Sequence, residues 1–505
     1  MADLCSIFFV LARGRFSGAN FFRMSEYTLK VVFPILEAFK LGGLFEDLRF
    51  QKSVCQIPFS APEPVGARFM FDSFVFPPRV MDDIHIKAEL GRYRMRGFSL
   101  FKKIPHWDDL TFLPGTLTRF VIEGYREKCE TKTVIGPRAK RPLELDIPVY
   151  ITGMSFGALS YEAKTALARG ATMAGTATCS GEGGMIPDER RYSSKWFYQC
   201  IQSRYGFNPH HLVLADGCEF FIGQGCKVGL GGHLMGQKVT DQVAEMRSLP
   251  AGIDQRSPAR HPDWLGPDDL ALKIQEIREA TDWQIPIQLK LGAARVYDDV
   301  RMAVKCDPDS IYIDGMEGGT GAGPHLATED TGVPGMAGIR QARKAIDDLG
   351  KRGDITLIYA GGIRNGADVA KAIALGADAI SIGHSALMAL NCNKDIPEAN
   401  YPEEMGVEAG ECYHCHTGRC PVGVATQDPA LRSRLDPDEA AERVYNFLHT
   451  LTIEAQLFAR ACGKTNLHSL EPEDLAALTM EASAMAGVPL AGTNHTVGID
   501  DYHHF

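Results

Sequence analysis

The chain has 505 residues, 45% of them hydrophobic, with 53 Lys and Arg against 63 Asp and Glu and a formal net charge of −10. The acidic balance and the lack of a basic run argue against a nucleic-acid partner. The 13 cysteines are scattered along a long chain. That disfavours a secreted disulfide scaffold and suits free thiols, with room for one metal site. The apolar start Cys5–Ala12 lacks a basic leader, and no run reaches the ~18–20 apolar residues of a membrane span. A soluble, cytoplasmic protein is the expectation, with Met24 a plausible true start.

Residues 1–104 read as a helical and irregular extension. Apolar positions recur at helical spacing over Tyr27–Phe39, and residues 60–80 are rich in Pro, Phe and Gly and suit an irregular wrapping segment. From about residue 145 the texture changes to short apolar runs ending in glycines, with amphipathic stretches between them. The runs are Ile147–Ser155, Ala177–Gly181, Phe220–Gly223, Ile285–Leu291, Ser310–Gly315, Ile355–Gly362 and Ala379–Gly383. Continuous apolar strands alternating with helices predict a parallel sheet covered on both faces. Seven or eight such units in roughly 280 residues suit an α/β fold of the (β/α)8 TIM-barrel kind over residues 105–434, although a doubly wound sheet shares the pattern. Residues 435–505 read as a helical extension. Asp436-Pro-Asp-Glu439 supplies an N-cap, a proline at the first helical position and a capping-box glutamate, and Glu471-Pro-Glu-Asp474 is a weaker second helix start.

The last two strand ends read together as a phosphate site. Ile358-Tyr-Ala-Gly-Gly-Ile-Arg-Asn-Gly366 runs into a glycine-rich turn, and Ala379-Ile-Ser-Ile-Gly-His-Ser385 follows. Loops after strands 7 and 8 of a barrel commonly hold phosphate, because glycines let backbone N–H groups approach the oxygens. Gly361, Gly362, Gly383, His384 and Ser385 are therefore candidate contacts, with Arg364 adding a charge. Met154-Ser-Phe-Gly-Ala-Leu-Ser160 ends the first strand in small residues against which a flat ring could lie, which nominates Met154, Ser155 and Gly157. Gly318 and Gly319 open another glycine-rich strand end. Lys290 lies inside an apolar strand, where an unpaired ammonium is unfavourable. Either it meets a carboxylate or it reaches a ligand such as a reduced flavin, whose negative charge near N1 a lysine would stabilise. A GxGxxG nicotinamide fingerprint between strand and helix is missing.

Glu411-Cys-Tyr-His-Cys-His-Thr-Gly-Arg-Cys-Pro421 is the sharpest local signal. Cys412, Cys415 and Cys420, at C-x2-C-x4-C followed by proline, are similar to iron–sulfur ligation. Zinc remains open because His414 and His416 stand among the thiols, and so do inert thiols. Three cysteines favour a three-iron (3Fe-4S) cluster, or a four-iron cluster with one non-cysteine ligand.

Residues 105–435 resemble the flavin domain of glutamate synthases. The resemblance is carried by Asp108-Asp-Leu-Thr-Phe-Leu-Pro114, Met154–Ser160, Ser180-Gly-Glu-Gly-Gly184, Ser203-Arg-Tyr-Gly-Phe207 and Gln224-Gly-Cys-Lys-Val-Gly229. It continues with Gly318-Gly-Thr-Gly-Ala322 and Cys415-His-Thr-Gly-Arg-Cys-Pro-Val-Gly-Val-Ala-Thr-Gln427. It implies FMN, with Ser180 among its contacts, a three-iron cluster, and reduction of 2-iminoglutarate to glutamate. Gln224, Lys227 and Arg247 then hold 2-oxoglutarate, and a dicarboxylate does need cationic anchors and a donor. Lys290 would support the reduced flavin, and Glu182 is a candidate general acid by position.

Departures are informative. Neither a glutaminase-like amino-terminal segment nor a β-helix-like carboxy-terminal one is recognised. The first cluster cysteine precedes the second by three residues rather than six, and Leu230 replaces an expected acidic residue. The stretches Gly252–Trp264 and Thr452–Gly463 are more similar to the stand-alone flavin subunit of N-methylglutamate synthase and related split enzymes. This implies glutaminase-like and β-helix-like partner subunits in a hetero-oligomer, an electron-donating reductase or ferredoxin, and methylamine as a candidate nitrogen donor beside ammonia. An electron-transfer or assembly subunit, and an FMN-barrel 2-hydroxy acid dehydrogenase, remain as rival readings.

Overall fold

A computed structural model describes residues 73–124 and 126–498. The expected helix at 27–39, the start at Met24 and the first part of the 60–80 segment lie outside these residues. The chain divides between Asp82 and Asp83. Of the first unit only residues 73–82 are described, and they include the start of the helix Pro78–Leu90.

The second unit is built on eight parallel strands, labelled here β1 (Val149–Ile151), β2 (Thr178–Cys179), β3 (Trp196–Cys200), β4 (Gly217–Phe221), β5 (Ile287–Gly292), β6 (Ser310–Asp314), β7 (Thr356–Ala360) and β8 (Ala379–Ile382). Each pairs with the next in sequence from β2 to β8, and β8 pairs in parallel with β1. Across the remaining seam the Ile151 N–H donates to the Ala177 carbonyl at 3.0 Å. The sheet thus closes into the expected barrel rather than an open doubly wound sheet. Every residue of these strands is buried, as parallel strands covered by helices require. The helices include α1 (Tyr161–Met173), α4 (Pro267–Ala280), α5 (Val296–Lys305), α6 (Gly335–Asp348) and α7 (Gly366–Ala374), with two short ones, α2 (Pro187–Tyr192) and α3 (Pro209–Val213), and α8 (His384–Ala389) after β8.

Strand β3 was not among the expected runs. Its sequence, Trp-Phe-Tyr-Gln-Cys, has the aromatic richness of a strand, but it carries no β-branched residue and ends without glycine. The barrel interior also holds polar residues. Glu219 of β4 is buried between two amide donors, Gln199 Nε2 at 2.6 Å and Gln288 Nε2 at 2.5 Å. Burial raises its pKa, opposed by Lys290 and by these two hydrogen bonds.

The long helix α9 (Pro437–Ala461) begins with the N-cap and first-turn proline that its sequence predicts, without the capping box expected of Glu439. Asp436 accepts from the N–H groups of Asp438 and Glu439, at 2.8 and 3.2 Å, and Pro437 occupies the first turn. It packs on α1 and α7. At Gly170 an ideal Cβ would lie 2.7 Å from the Ala441 carbonyl, so glycine sets the close approach of α1. The weaker start at Glu471 needs correction. Pro472–Asp474 forms one 3-10 turn, and Leu475–Ala477 is a strand antiparallel to Leu110–Phe112; the next helix begins only at Met480. Asp474 is fully buried, paired with Arg119 and accepting from the Glu471 N–H at 2.9 Å. The turn is thereby locked against the strand pair instead of opening a helix.

Candidate active site

The carboxyl ends of the barrel strands surround a cavity of about 770 Å3. Ten of the expected cofactor contacts line it: Met154, Lys290, Gly318, Gly319, Gly361, Gly362, Arg364, Gly383, His384 and Ser385. Glycine is required at three of these points. Gly361 and Gly362 have φ of +129° and +64°, and a Cβ on Gly362 would lie 2.6 Å from His106 Nε2. On Gly319 it would collide with the His384 ring.

Lys290 sits on β5 beside Tyr312 on β6. Its Nζ lies 3.4 Å from the Asp314 carboxylate, 3.2 Å from Thr152 Oγ1 and 3.3 Å from the Tyr312 hydroxyl. Lys290 thus meets a carboxylate, as the first sequence reading has it, and the same side chain lines the cavity. Burial disfavours its charge, but Tyr312, Asp314 and Glu219 outweigh that and raise its pKa. The ammonium is therefore retained at neutral pH. Arg364 also reaches the cavity, with its charge already offset by Asp108 at 2.6 and 2.8 Å and Asp368 at 2.9 Å.

A second recess of about 110 Å3 adjoins the first, and Gly153, Met154, Gln224 and His384 line both. Ser155, Glu182 and Lys227 line only the second. Lys227 is 3% exposed, its Nζ donating to the Ala322 carbonyl at 3.1 Å, and burial lowers its pKa. Gln224 donates weakly to the Gly319 carbonyl at 3.4 Å. Glu182 accepts from the Tyr205 hydroxyl at 2.7 Å and from Ser257. Arg247 stands one layer behind. It donates to Tyr205 at 3.4 Å, Gln255 at 3.2 Å and the Phe156 carbonyl at 2.8 Å, and its buried Nε has no partner.

Two nominated contacts lie off both cavities. Ser180 hydrogen-bonds Gly181 and Gln199 within the barrel end. Gly157, with φ of +98°, lets the loop pass Leu234 and Val243. Sequence reasoning had missed Thr152, Asp314, Glu317 and Tyr205. Asp314, ending the run Ser-Ile-Tyr-Ile-Asp, was the one with a visible signal. Glu317 lines the larger cavity and accepts twice from the Gly335 N–H; burial raises its pKa to about 7.

The cysteine loop borders the second recess through Cys415 and His416. Cys412, Cys415 and Cys420 lie within electrostatic reach of one another, and burial followed by that mutual repulsion pushes Cys415 up to about 12. Lys238 lies close to Cys415 and Cys420, donating to the Cys415 carbonyl at 2.9 Å; burial lowers its pKa to about 8. Among the described residues no three His, Cys, Asp or Glu side chains close around a single ion. No described helix is long and apolar enough to cross a membrane.

The conserved region of glutamate synthase matches residues 116–465. A glutamate synthase large subunit-like protein of Rhizobium meliloti (strain 1021) is 53% identical over 423 residues, 84% of this chain and 96% of its own length. An archaeal glutamate synthase (NADPH) of Archaeoglobus fulgidus is 33% identical over 412 residues, 77% of each. The glutamate synthase (NADPH) large chain of Bacillus subtilis (strain 168) is 32% identical over 385 residues, covering 73% of this chain and only 23% of its own. Among solved structures, a mutant flavocytochrome b2 with pyruvate bound has 14% identity and a TM-score of 0.45 over 77% of this chain and 80% of its own, too remote to bear on the reading. With the matched region covering well over half of its residues, the chain belongs to the glutamate synthase family.

Proposed function

We propose that the chain is the FMN- and iron–sulfur-dependent catalytic subunit of a split glutamate-synthase-type enzyme, reducing the imine of 2-oxoglutarate. The observation that carries this reading is the pair of adjoining recesses sharing Met154, Gln224 and His384, with Lys290 on one and Lys227 on the other. The larger recess suits a flavin: it has a glycine-lined floor and a buried cation. The smaller suits a short dicarboxylate. FMN would supply hydride transfer, and the cluster would supply electrons one at a time.

The chain's own residues do the rest. Lys290 keeps a positive charge at the cavity wall, where it favours an anionic reduced ring. Lys227 and Gln224 hold one end of the substrate. A bound carboxylate returns to Lys227 the charge that burial disfavours. Arg247 acts through Tyr205, orienting that hydroxyl toward Glu182. Glu182 is the candidate proton donor once it has taken up a proton, with Tyr205 and Ser257 fixing its orientation. Cys412, Cys415 and Cys420 would hold the cluster as thiolates, each giving up its proton on ligation, with the positive iron offsetting the repulsion among them.

The favoured subtype is N-methylglutamate synthase, with methylamine as nitrogen donor. A cytoplasmic hetero-oligomer with glutaminase-like and β-helix-like subunits and a reductase or ferredoxin completes the proposal. The test is product analysis with the assembled complex, 2-oxoglutarate, and either ammonia or methylamine. Methylamine-dependent N-methylglutamate is expected. Glutamate formed equally fast without methylamine removes the subtype. Failure of 2-oxoglutarate with either amine to reoxidise the reduced flavin favours an electron-transfer or assembly subunit instead.

A further inference from the structure

We infer that His233, held by Asp254, is the base of the smaller recess, taking a proton from the incoming amine and supplying it to Glu182. This rests on the imine-forming reading above and deepens it. Glu182 Oε1 accepts from the Tyr205 and Ser257 hydroxyls, so a proton must reach this carboxylate before it can act as an acid.

Three observations carry the inference. First, His233 lines the recess together with Gln224, Lys227 and Glu182, and its side chain is only 11% exposed. Second, its ring is anchored. His233–Leu234 is a short strand antiparallel to Gln255–Arg256, with His233 opposite Arg256. Beside this ladder, His233 Nε2 lies 2.9 Å from one Asp254 oxygen, and the other accepts from the Gly236 N–H at 2.8 Å. His233 and that N–H hold the Asp254 carboxyl below its usual range, against burial. An ionised carboxylate only accepts, so Nε2 carries the hydrogen and Nδ1 the lone pair. Nδ1 has no hydrogen-bond partner among the described residues. Third, Glu182 is close by. A Cβ on Gly232, the residue before His233, would collide with the Glu182 carboxylate.

An imidazole turned by a carboxylate can take up and release a proton within one turnover. Ammonia and primary amines are mostly protonated in neutral water, and only the neutral form is a nucleophile. His233 Nδ1 takes one proton from R–NH3+. The freed lone pair forms the C–N bond at the 2-oxo carbon as the carbonyl pair moves onto oxygen, and a second proton moves from nitrogen to that oxygen. The proton on His233 passes to Glu182 and on to the new hydroxyl. The C–O bond then breaks and water leaves an iminium. Both residues end as they began, and no electron has been exchanged. Asp254 and Glu182 offset the positive charge that His233 holds between these steps. The other charged and titratable groups around it are Arg256, 3.8 Å from Asp254, with Lys227, Lys238 and His384 on the recess wall, and Cys415 and His416 from the cysteine loop.

The experiment follows reoxidation of the reduced flavin in the assembled complex by 2-oxoglutarate and methylamine, for wild type, His233→Ala, His233→Gln and Asp254→Asn. We expect His233→Ala to slow reoxidation by about 10²–10⁴-fold, with bound flavin and KM for 2-oxoglutarate unchanged. Glutamine keeps a donor for Asp254 but cannot take up a proton, so His233→Gln should be as slow. Its deficit against wild type should narrow as pH rises, because neutral amine increases about tenfold per pH unit below the amine's own pKa. Asp254→Asn should slow the reaction less, since the imidazole loses its anchor but keeps its lone pair.

His233→Gln at the wild-type rate overturns the inference, because a hydrogen bond to Asp254 would then suffice. A deficit that stays constant with pH, or one that comes with lost flavin or a raised KM for 2-oxoglutarate, also overturns it, since His233 would then only shape the site. Wild-type complex whose reduced flavin 2-oxoglutarate and amine fail to reoxidise overturns the imine-forming reading itself, and this inference with it.

Discussion

The flavin-sized cavity and the cysteine loop adjoin each other but are held in place by different means. The cavity is made of strand ends. Thr152, Asp314, Gly361 and Gly383 each follow directly from a barrel strand or end one, and Lys290 lies within β5, so the sheet's own ladder fixes their positions. The cysteine loop has no strand of its own between β8 and α9. It is pinned by side chain to main chain bonds instead: Asn393 to Cys412, Lys238 to the Cys415 carbonyl, and Arg434 to the Pro421 carbonyl at 2.7 Å. A pre-organised rigid frame suits a group whose charge must be met at a fixed point. A loop clamped by a few polar bonds depends on each clamp.

Predictions can break or sharpen this contrast. The largest effect is expected at the frame. Lys290→Met should lower kcat by about 10²–10³-fold, as for loss of a buried charge-stabilising donor, with flavin content retained. Steady-state rates read against bound flavin check it, and an unchanged kcat would remove Lys290 from the chemistry.

Next comes Glu317. Its folded pKa of about 7 lies above the ordinary 4.5. The folded chain therefore holds the proton more tightly than the unfolded chain between these values, and stability from this group falls as pH rises from 4.5 through 7. Glu317→Gln should remove that fall, a difference of about 3 kcal/mol above pH 7, readable as a flatter melting temperature against pH. Wild type and variant falling in parallel would refute it.

Lys227→Met should raise KM for 2-oxoglutarate by the ~1.5–3 kcal/mol of a charged hydrogen bond, roughly 10–150-fold. Arg247→Lys should have a smaller effect, because Arg247 reaches the recess only through Tyr205. Equal losses would place Arg247 on the substrate directly. The smallest change is Asp108→Asn, which unpairs an exposed partner of Arg364. Thermal melting should move by no more than about 1 kcal/mol, and any gain in phosphate affinity would show that freeing Arg364 sharpens the site.

Much of this was legible in the chain. Seven of the eight barrel strands stand out as apolar runs ending in small or polar residues, because parallel strands buried on both faces must be apolar. Ten of the thirteen nominated cofactor contacts line the cavity, most of them because a glycine-rich strand end in a barrel of this kind faces it. Ser180 and Gly157 sit in equally good motifs and were drawn off it by hydrogen bonding to Gln199 and by packing on Leu234, neither of which is local in sequence. The strand at Leu475–Ala477 was hidden because its partner lies at Leu110–Phe112, far along the chain.

The sequence by itself determined the period of strands and helices, the family, the cap of α9 and the three clustered cysteines, since all of these are written in neighbouring residues. Only the tertiary structure decided that Lys290 meets both Asp314 and the cavity, and that Arg247 stands behind Tyr205. These depend on contacts between residues more than twenty positions apart, such as Lys290 with Asp314 and Arg247 with Tyr205.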